Sequence, residues 1–140
     1  MTSSSDSIFT AEGLSARMLG SSHGTRSYGE GESTTRWEGR LRLEGREGRE
    51  GWLELAVSGW YTASDRHDQE SQTVEVHLPG GFSFELWSEF DYEKYNHARD
   101  HDRWADLAPV VAHLRELGWD VDAARVKAFV QAAAYKVRSG

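Results

Sequence analysis

The chain contains no cysteine. That excludes disulfides, thiolate metal centres, iron–sulfur clusters and cysteine nucleophiles. It has only two prolines, and no apolar run approaches the ~18–20 residues that a membrane-spanning helix needs. The first residues, MTSSSDSIF, show neither the basic stretch nor the apolar centre of a signal peptide, so a cytoplasmic protein is the expectation. Positive charge is scarce: 16 Lys+Arg stand against 23 Asp+Glu, a formal net charge of −7. Such a balance argues against broad polyanion binding, and neither nucleic acid nor membrane is expected as a partner. Two motifs are also missing, the phosphate-cradling GxxxxGK[ST] loop and the GxSxG nucleophile elbow. Few Pro, no Cys and abundant Gly, Arg, Ala and Glu are the composition expected of a bacterial, GC-rich coding sequence.

What remains is a chain of 140 residues, 38% hydrophobic and 11% aromatic, with six Trp. This is one domain's worth of sequence, able to bury roughly two thirds of its unfolded surface around a modest core. Residues 1–34 stand apart. Ser3 to Ser5 are polar, and 20–34 are built of Gly, Ser, Thr and charge. Such composition buries too little to offset its ordering entropy, so a flexible or partly ordered N-terminal segment is expected ahead of a single domain over 35–140. Between the polar tracts, Gly13 to Leu19 reads as an edge strand or a short helix.

From Thr35 the pattern has period two. Trp37, Leu41 and Leu43 alternate with Arg36, Arg40 and Arg42; Leu53, Leu55 and Val57 alternate with Trp52, Glu54 and Ala56. Val74, Val76 and Leu78 follow a longer polar connection at 62–71, and Phe82, Phe84, Leu86 and Phe90 follow the Pro79-Gly80-Gly81 turn. Successive strand side chains point to opposite faces, so these segments predict strands with one oily face, joined as an antiparallel meander. After Phe90 the spacing of Tyr92, Tyr95 and Trp104 predicts a charged helix over 91–103. Asp106 and Pro109 then open a helix whose stripe is Leu107, Val110, Val111, Leu114 and Leu117, stopped at Gly118. Asp120 or Asp122 caps a last one, with Val126, Phe129, Val130, Ala133 and Val137 on one face. Strands first and helices second predict an α+β domain: an antiparallel four- to five-stranded meander with C-terminal helices packed on one face.

On this alternation the face turned away from the helices carries Trp52, Trp60 and Trp87 among Arg40, Glu85 and other charged residues. Trp is costly to leave wet and enriched in binding hot spots. These five residues are therefore the candidate protein-binding site; the competing possibility is a sheet that curls and takes the indoles into its core. Residues 85–106 add seven acids against three bases, a charge that steers a cationic partner. A small acidic binding module is thus the first functional expectation, similar in class to inhibitor or immunity proteins by analogy only. Unprotected sheet edges also admit a homodimer.

Two other chemistries compete. Glu93, His97 and His101 are spaced four apart, so on a helix they share a face and could hold a divalent metal, the one cofactor the sequence admits. The same spacing arises on a solvated helix with ion pairs such as Asp100–Arg103. A metal-dependent or general acid–base enzyme centred on His97 and His101 is the alternative function. His97 and Asp102 also fit H-x4-D, without the larger scaffold that pattern needs. Asp65, His67 and Asp68 form a second charged group on a polar connection. Finally, Tyr61, Phe84, Trp104 and Phe129 are candidates to line a small-molecule pocket between sheet and helices.

Overall fold

The computed structural model describes residues 7–29, 31–64, 68–92 and 101–140. Seven strands precede two helices: β1 Ile8–Ala11, β2 Leu14–Ser27, β3 Ser33–Glu44, β4 Trp52–Ala63, β5 Asp68–Leu78, β6 Phe82–Tyr92, β7 His101–Trp104, α1 Ala108–Glu116 and α2 Ala123–Ser139. They form one antiparallel sheet in sequential order, β1 to β7. The α+β meander is therefore present, but with seven strands rather than four or five. The strands beyond the four read between Thr35 and Phe90 are β1, β2, which begins within the Gly13–Leu19 segment read as an edge strand or short helix, and β7; β2, β4, β5 and β6 also run on through segments with no alternating apolar pattern. Residues 20–27, built of Gly, Ser, Thr and charge, continue β2 and pair with β3 down to Ser27↔Ser33. The connection expected at 62–71 is largely strand, with Ala63 opposite Asp68. The helix expected over 91–103 is strand wherever it is described: β6 runs to Tyr92 and β7 begins at His101.

The core is the inner face of the sheet. Leu41, Leu43, Leu53, Leu55, Val57, Val74 and Val76 are fully buried beneath Val110, Leu114, Leu117, Val126, Phe129, Val130, Ala133 and Val137 of the helical layer. Both helix stripes read from the sequence are the buried stripes. The Asp122 side chain caps α2 by accepting from the Arg125 N–H at 2.8 Å. α1 ends in a Schellman motif, in which Gly118 (φ +95°) donates to Arg115 O and Trp119 to Leu114 O. Arg49 supports the same end by donating to the Glu116 carbonyl at 3.0 Å. Close approach of α2 to the sheet requires Gly39, where an added Cβ would lie 2.9 Å from Val137.

The sheet curls. Phe9 of β1 lies 5.7 Å from the Phe129 ring, and Lys127, on the same helix, sits 5.0 Å over Trp104 of β7. One helix thus touches both outermost strands. Two register shifts help the bend, one between Met18 and Gly20 and one on β6 opposite Val74/Glu75. Each falls at a pair of consecutive bulky apolar residues, Met18-Leu19 and Leu86-Trp87. The second shift corrects the alternation. Leu86 and Trp87 both enter the core, at 0% and 3% exposure. Beyond them the phase is inverted, so Phe90 pairs with Ser71 on the outer face and Glu89 with Gln72 on the inner one.

Candidate functional site

Of the three tryptophans expected on the outer face, two are there. Trp60 lies directly opposite Arg36 on β3 and Ser71 on β5, half-buried. Trp52 lies at the other end of β4, with the Arg42 guanidinium 4.3 Å above its ring. Trp87 is not on that face. It stacks in the core on Trp104, with centroids 5.1 Å apart and planes at 19°, and its Nε1–H donates to Asp102 Oδ1. The cause is the bulge at Leu86, which adds one residue and turns the indole inward. Arg40 is exposed and pairs with Glu54 Oε2 at 3.6 Å; Glu54 is itself buried and also takes Arg42 at 3.0 Å. Glu85 is exposed opposite Glu75.

The bulge that removes Trp87 supplies other aromatic rings. Phe90 meets the Trp60 ring edge-on at 6.4 Å, and His101 stacks on Phe90 at 6.1 Å. This row of Trp60, Phe90 and His101 spans four adjacent strands on the outer face, β4 to β7, with only the small Ser71 of β5 between Trp60 and Phe90. Its only advance signal is the Leu86-Trp87 doublet, which breaks the alternation.

At the same end of the sheet, the inner face is acidic. α2 stops short of it: Arg138, in the last turn, lies 4.8 Å over Trp37 and 6.0 Å over Tyr61. Arg138 also donates to Glu70 Oε2 at 2.6 Å, and its carbonyl accepts from His23 Nε2. Beyond that point Asp68 and Glu70 of β5, Glu89 and Asp91 of β6, and Asp102 of β7 occupy the inner face. Glu70 stands directly opposite Asp91, and Glu89 directly opposite Asp102. Like charges so placed are ~5 Å apart at Cβ and destabilise a sheet. The directly opposed Arg17 and Arg42 each have a counter-charge, Glu44 and Glu54 respectively, while Glu75, opposite Glu85, has the His77 ring 3.3 Å away. Here Arg138 serves Glu70 alone among the described residues. Neutral donors serve three of the others: Tyr61 Oη donates to Asp68 at 2.9 Å, Gln72 Nε2 to Glu89 at 3.0 Å, and Trp87 to Asp102. Glu70, Glu89, Asp91 and Asp102, with Phe90 and His101 at the rim, line a concavity of about 380 Å³.

The other expected sites do not assemble. Glu93, His97, Asp65 and His67 lie outside the described residues. His101, the remaining member of the metal triad, belongs to β7, with Ser88 Oγ 3.3 Å from its Nε2. No group of three or more His, Asp or Glu among the described residues could hold a metal ion. The four aromatic residues assigned to a pocket are scattered. Phe129 is shut in the core, Trp104 is stacked on Trp87, and Phe84 pairs with Val76, which faces Leu55. Tyr61 is six residues further along β4, ~20 Å away. His113 binds the backbone, its Nε2 2.8 Å from the Trp52 carbonyl. No helix among the described residues is long and apolar enough to cross a membrane. Comparison with protein-family models, with curated proteins and with solved structures finds no match to this chain.

Proposed function

We propose that this chain is a protein-binding module whose partner presents a basic surface to the open, acidic end of the sheet. The observation that carries this reading is the block of like charges: two directly opposed carboxylate pairs on adjacent rows, with one guanidinium among the described residues to offset them. A sheet gains nothing in stability from such a block, and a local rule broken with so little opposing charge among the described residues is expected where a surface serves an interaction. The concave inner face gathers the carboxylates, while the Trp60–Phe90–His101 row offers aromatic contact on the reverse of the same strands. Fields of one sign raise the association rate with an oppositely charged partner, and aromatic groups then slow its release.

The test is NMR titration with a ten-residue Lys/Arg-rich peptide, followed by affinity capture at low salt. Amide shifts are expected at Glu70, Glu89, Asp91 and Asp102, and should be lost in the D91N/D102N variant. Capture should return a stoichiometric basic protein that 0.5 M salt releases and that W60A holds more weakly. Shifts spread evenly over the surface, or capture indifferent to both variants, would refute the proposal.

A further inference from the structure

The sheet has a second unguarded feature, at its opposite edge. β1 is four residues long and pairs only with Leu14 to Arg17. Beyond it, Gly20 to Ser27 pair with β3 on one side and have no strand on the other among the described residues. All eight are exposed. They contain no Pro, Lys, Asp or Glu, and their one charged residue, Arg26, lies near the far end, so Gly20 to Thr25 lack the charges and prolines that usually blunt an edge. Unpaired backbone groups over eight residues are a template for an added strand, and pockets for alternate side chains set which strand is taken.

Those pockets can be read from the register. On the outer face Gly20 is opposite Arg40, Ser22 opposite Glu38, and Gly24 opposite Arg36. Gly20 and Gly24 have no side chain, and a Cβ on either would meet nothing within 4 Å. Ser22 is small, and its hydroxyl makes only a 3.4 Å contact with Glu38. The edge therefore has three low windows onto β3, showing in turn a cation, an anion and a cation. The windows open on two adjoining troughs of about 560 and 590 Å³ that share Ser22, Glu38 and Ser58. A strand added at the edge would lie about 10 Å from β3, two strand spacings, within the joint reach of extended Glu and Arg or Lys and Glu side chains.

We propose that the Gly20–Ser27 edge takes an extended segment of a partner protein whose alternate residues are acidic, basic and acidic. Arg40 and Arg36 receive the two carboxylates, and Glu38 receives the cation between them. Because that order is a palindrome, it fits in either strand direction. A second copy of this chain does not match, since β2 would present Gly, Ser, Gly and Arg at alternate positions. Residues 1–6, MTSSSD, carry one acid and no base and do not match either. The site lies at the opposite edge of the sheet from the acidic strands; its trough reaches Trp60, but none of the carboxylates of the acidic end takes part, so the D91N/D102N variant should leave peptide binding here unchanged.

The test uses labelled peptides TETKTETT and its charge reversal TKTETKTT in anisotropy titrations against the full chain. The matched peptide should bind about tenfold more tightly than the reversed one, since like-charge juxtaposition penalises the latter. Gly24→Val closes the window at Arg36 in open space; it should weaken the matched peptide about tenfold with the fold intact by circular dichroism. Gly20→Val does the same at Arg40 and serves as the second variant. In R36E the single-swapped peptide TETKTKTT should overtake the matched one. Equal affinity for matched and reversed peptides would overturn the proposal, as would NMR shifts placed away from β2 and β3. Self-association that Gly24→Val abolishes would assign the edge to a second copy and overturn it as well.

Discussion

Replacing Asp91 by Asn should make the protein more stable. Asp91 stands directly opposite Glu70 and two residues from Glu89 on the same face, and its carboxylate has no hydrogen bond or ion pair to a described side chain. Asn keeps the shape and removes the charge. Two unit charges about 6 Å apart repel by roughly 0.7 kcal/mol at the dielectric of water and about 2.8 kcal/mol at the effective value for a protein surface. Arg138 holds Glu70 at 2.6 Å and offsets part of this. A net gain of about 0.5–1 kcal/mol follows, in line with measured like-charge pairs across strands. For a chain of this length that is a rise in Tm of about 2–4 °C. Glu70→Gln is the control with the opposite sign. It relieves the same repulsion but loses the ion pair to Arg138, whose side chains are 34% and 27% exposed. Discounted for that exposure, the loss should lower stability by about 1 kcal/mol. Differential scanning calorimetry at 20 mM and 500 mM NaCl measures both. The Asn gain should shrink at high salt, where the Debye length falls to a few ångströms. A destabilised D91N, or a gain indifferent to salt, would show that the carboxylate block is not under electrostatic strain and would remove the main support for a docking role.

Three further outcomes follow from the packing. Gly59→Ala places a Cβ 2.5 Å from the Trp37 indole, a ring that is 3% exposed and lies beneath Arg138; a loss of about 1–3 kcal/mol is expected in urea unfolding. Trp87→Ala empties a site in the core and should cost about 3–5 kcal/mol, whereas Trp60→Ala, on the outer face, should cost less than half as much and act on partner affinity. Arg42→Ala leaves the buried Glu54 with only the longer 3.6 Å contact to Arg40 and uncovers the Trp52 ring; about 2–3 kcal/mol should be lost, with increased quenching of tryptophan fluorescence by iodide.

Legibility in the sequence followed burial. Where helices cover the sheet, side chains alternate between oil and water, and the stretches of β3 to β6 there were found with their faces correct as far as Leu86. The helix stripes, the Asp122 cap and the Gly118 stop are local chemistry and were equally readable. Strand residues 20–27, 62–63 and 68–71 leave no such trace, because they are held by backbone hydrogen bonds with little burial on either face, and backbone pairing leaves no side-chain period. Trp87 and Phe90 lie on the faces opposite to those their spacing predicts, for a different reason. Counting by two assumes an unbroken ladder, and one extra residue at Leu86 reverses every later assignment on the strand. Glu89, Asp91 and Asp102 are visible in the sequence only as part of the acidic count over 85–106, and their convergence with Asp68 and Glu70 depends on the register of three strands.

The same division should appear in the dynamics. A 17-residue helix is ~25 Å long, whereas twelve-residue strands such as β3 and β4 span ~40 Å, so α2 shields only part of them. Amides of Leu53 to Val57 lie in the buried stretch of β4, a strand that packs against α2, and should exchange with solvent only on global unfolding. Those of Thr62, Ala63 and Gln69 have paired strands but little packed above them, and should exchange through local opening several kcal/mol cheaper. Addition of a bound partner at the acidic end would slow the second group and leave the first unchanged. Hydrogen exchange read by mass spectrometry resolves the two sets. Uniform protection along β4 would mean that the open end is as firmly held as the core, and that its carboxylates are compensated by contacts inside the chain rather than by a partner.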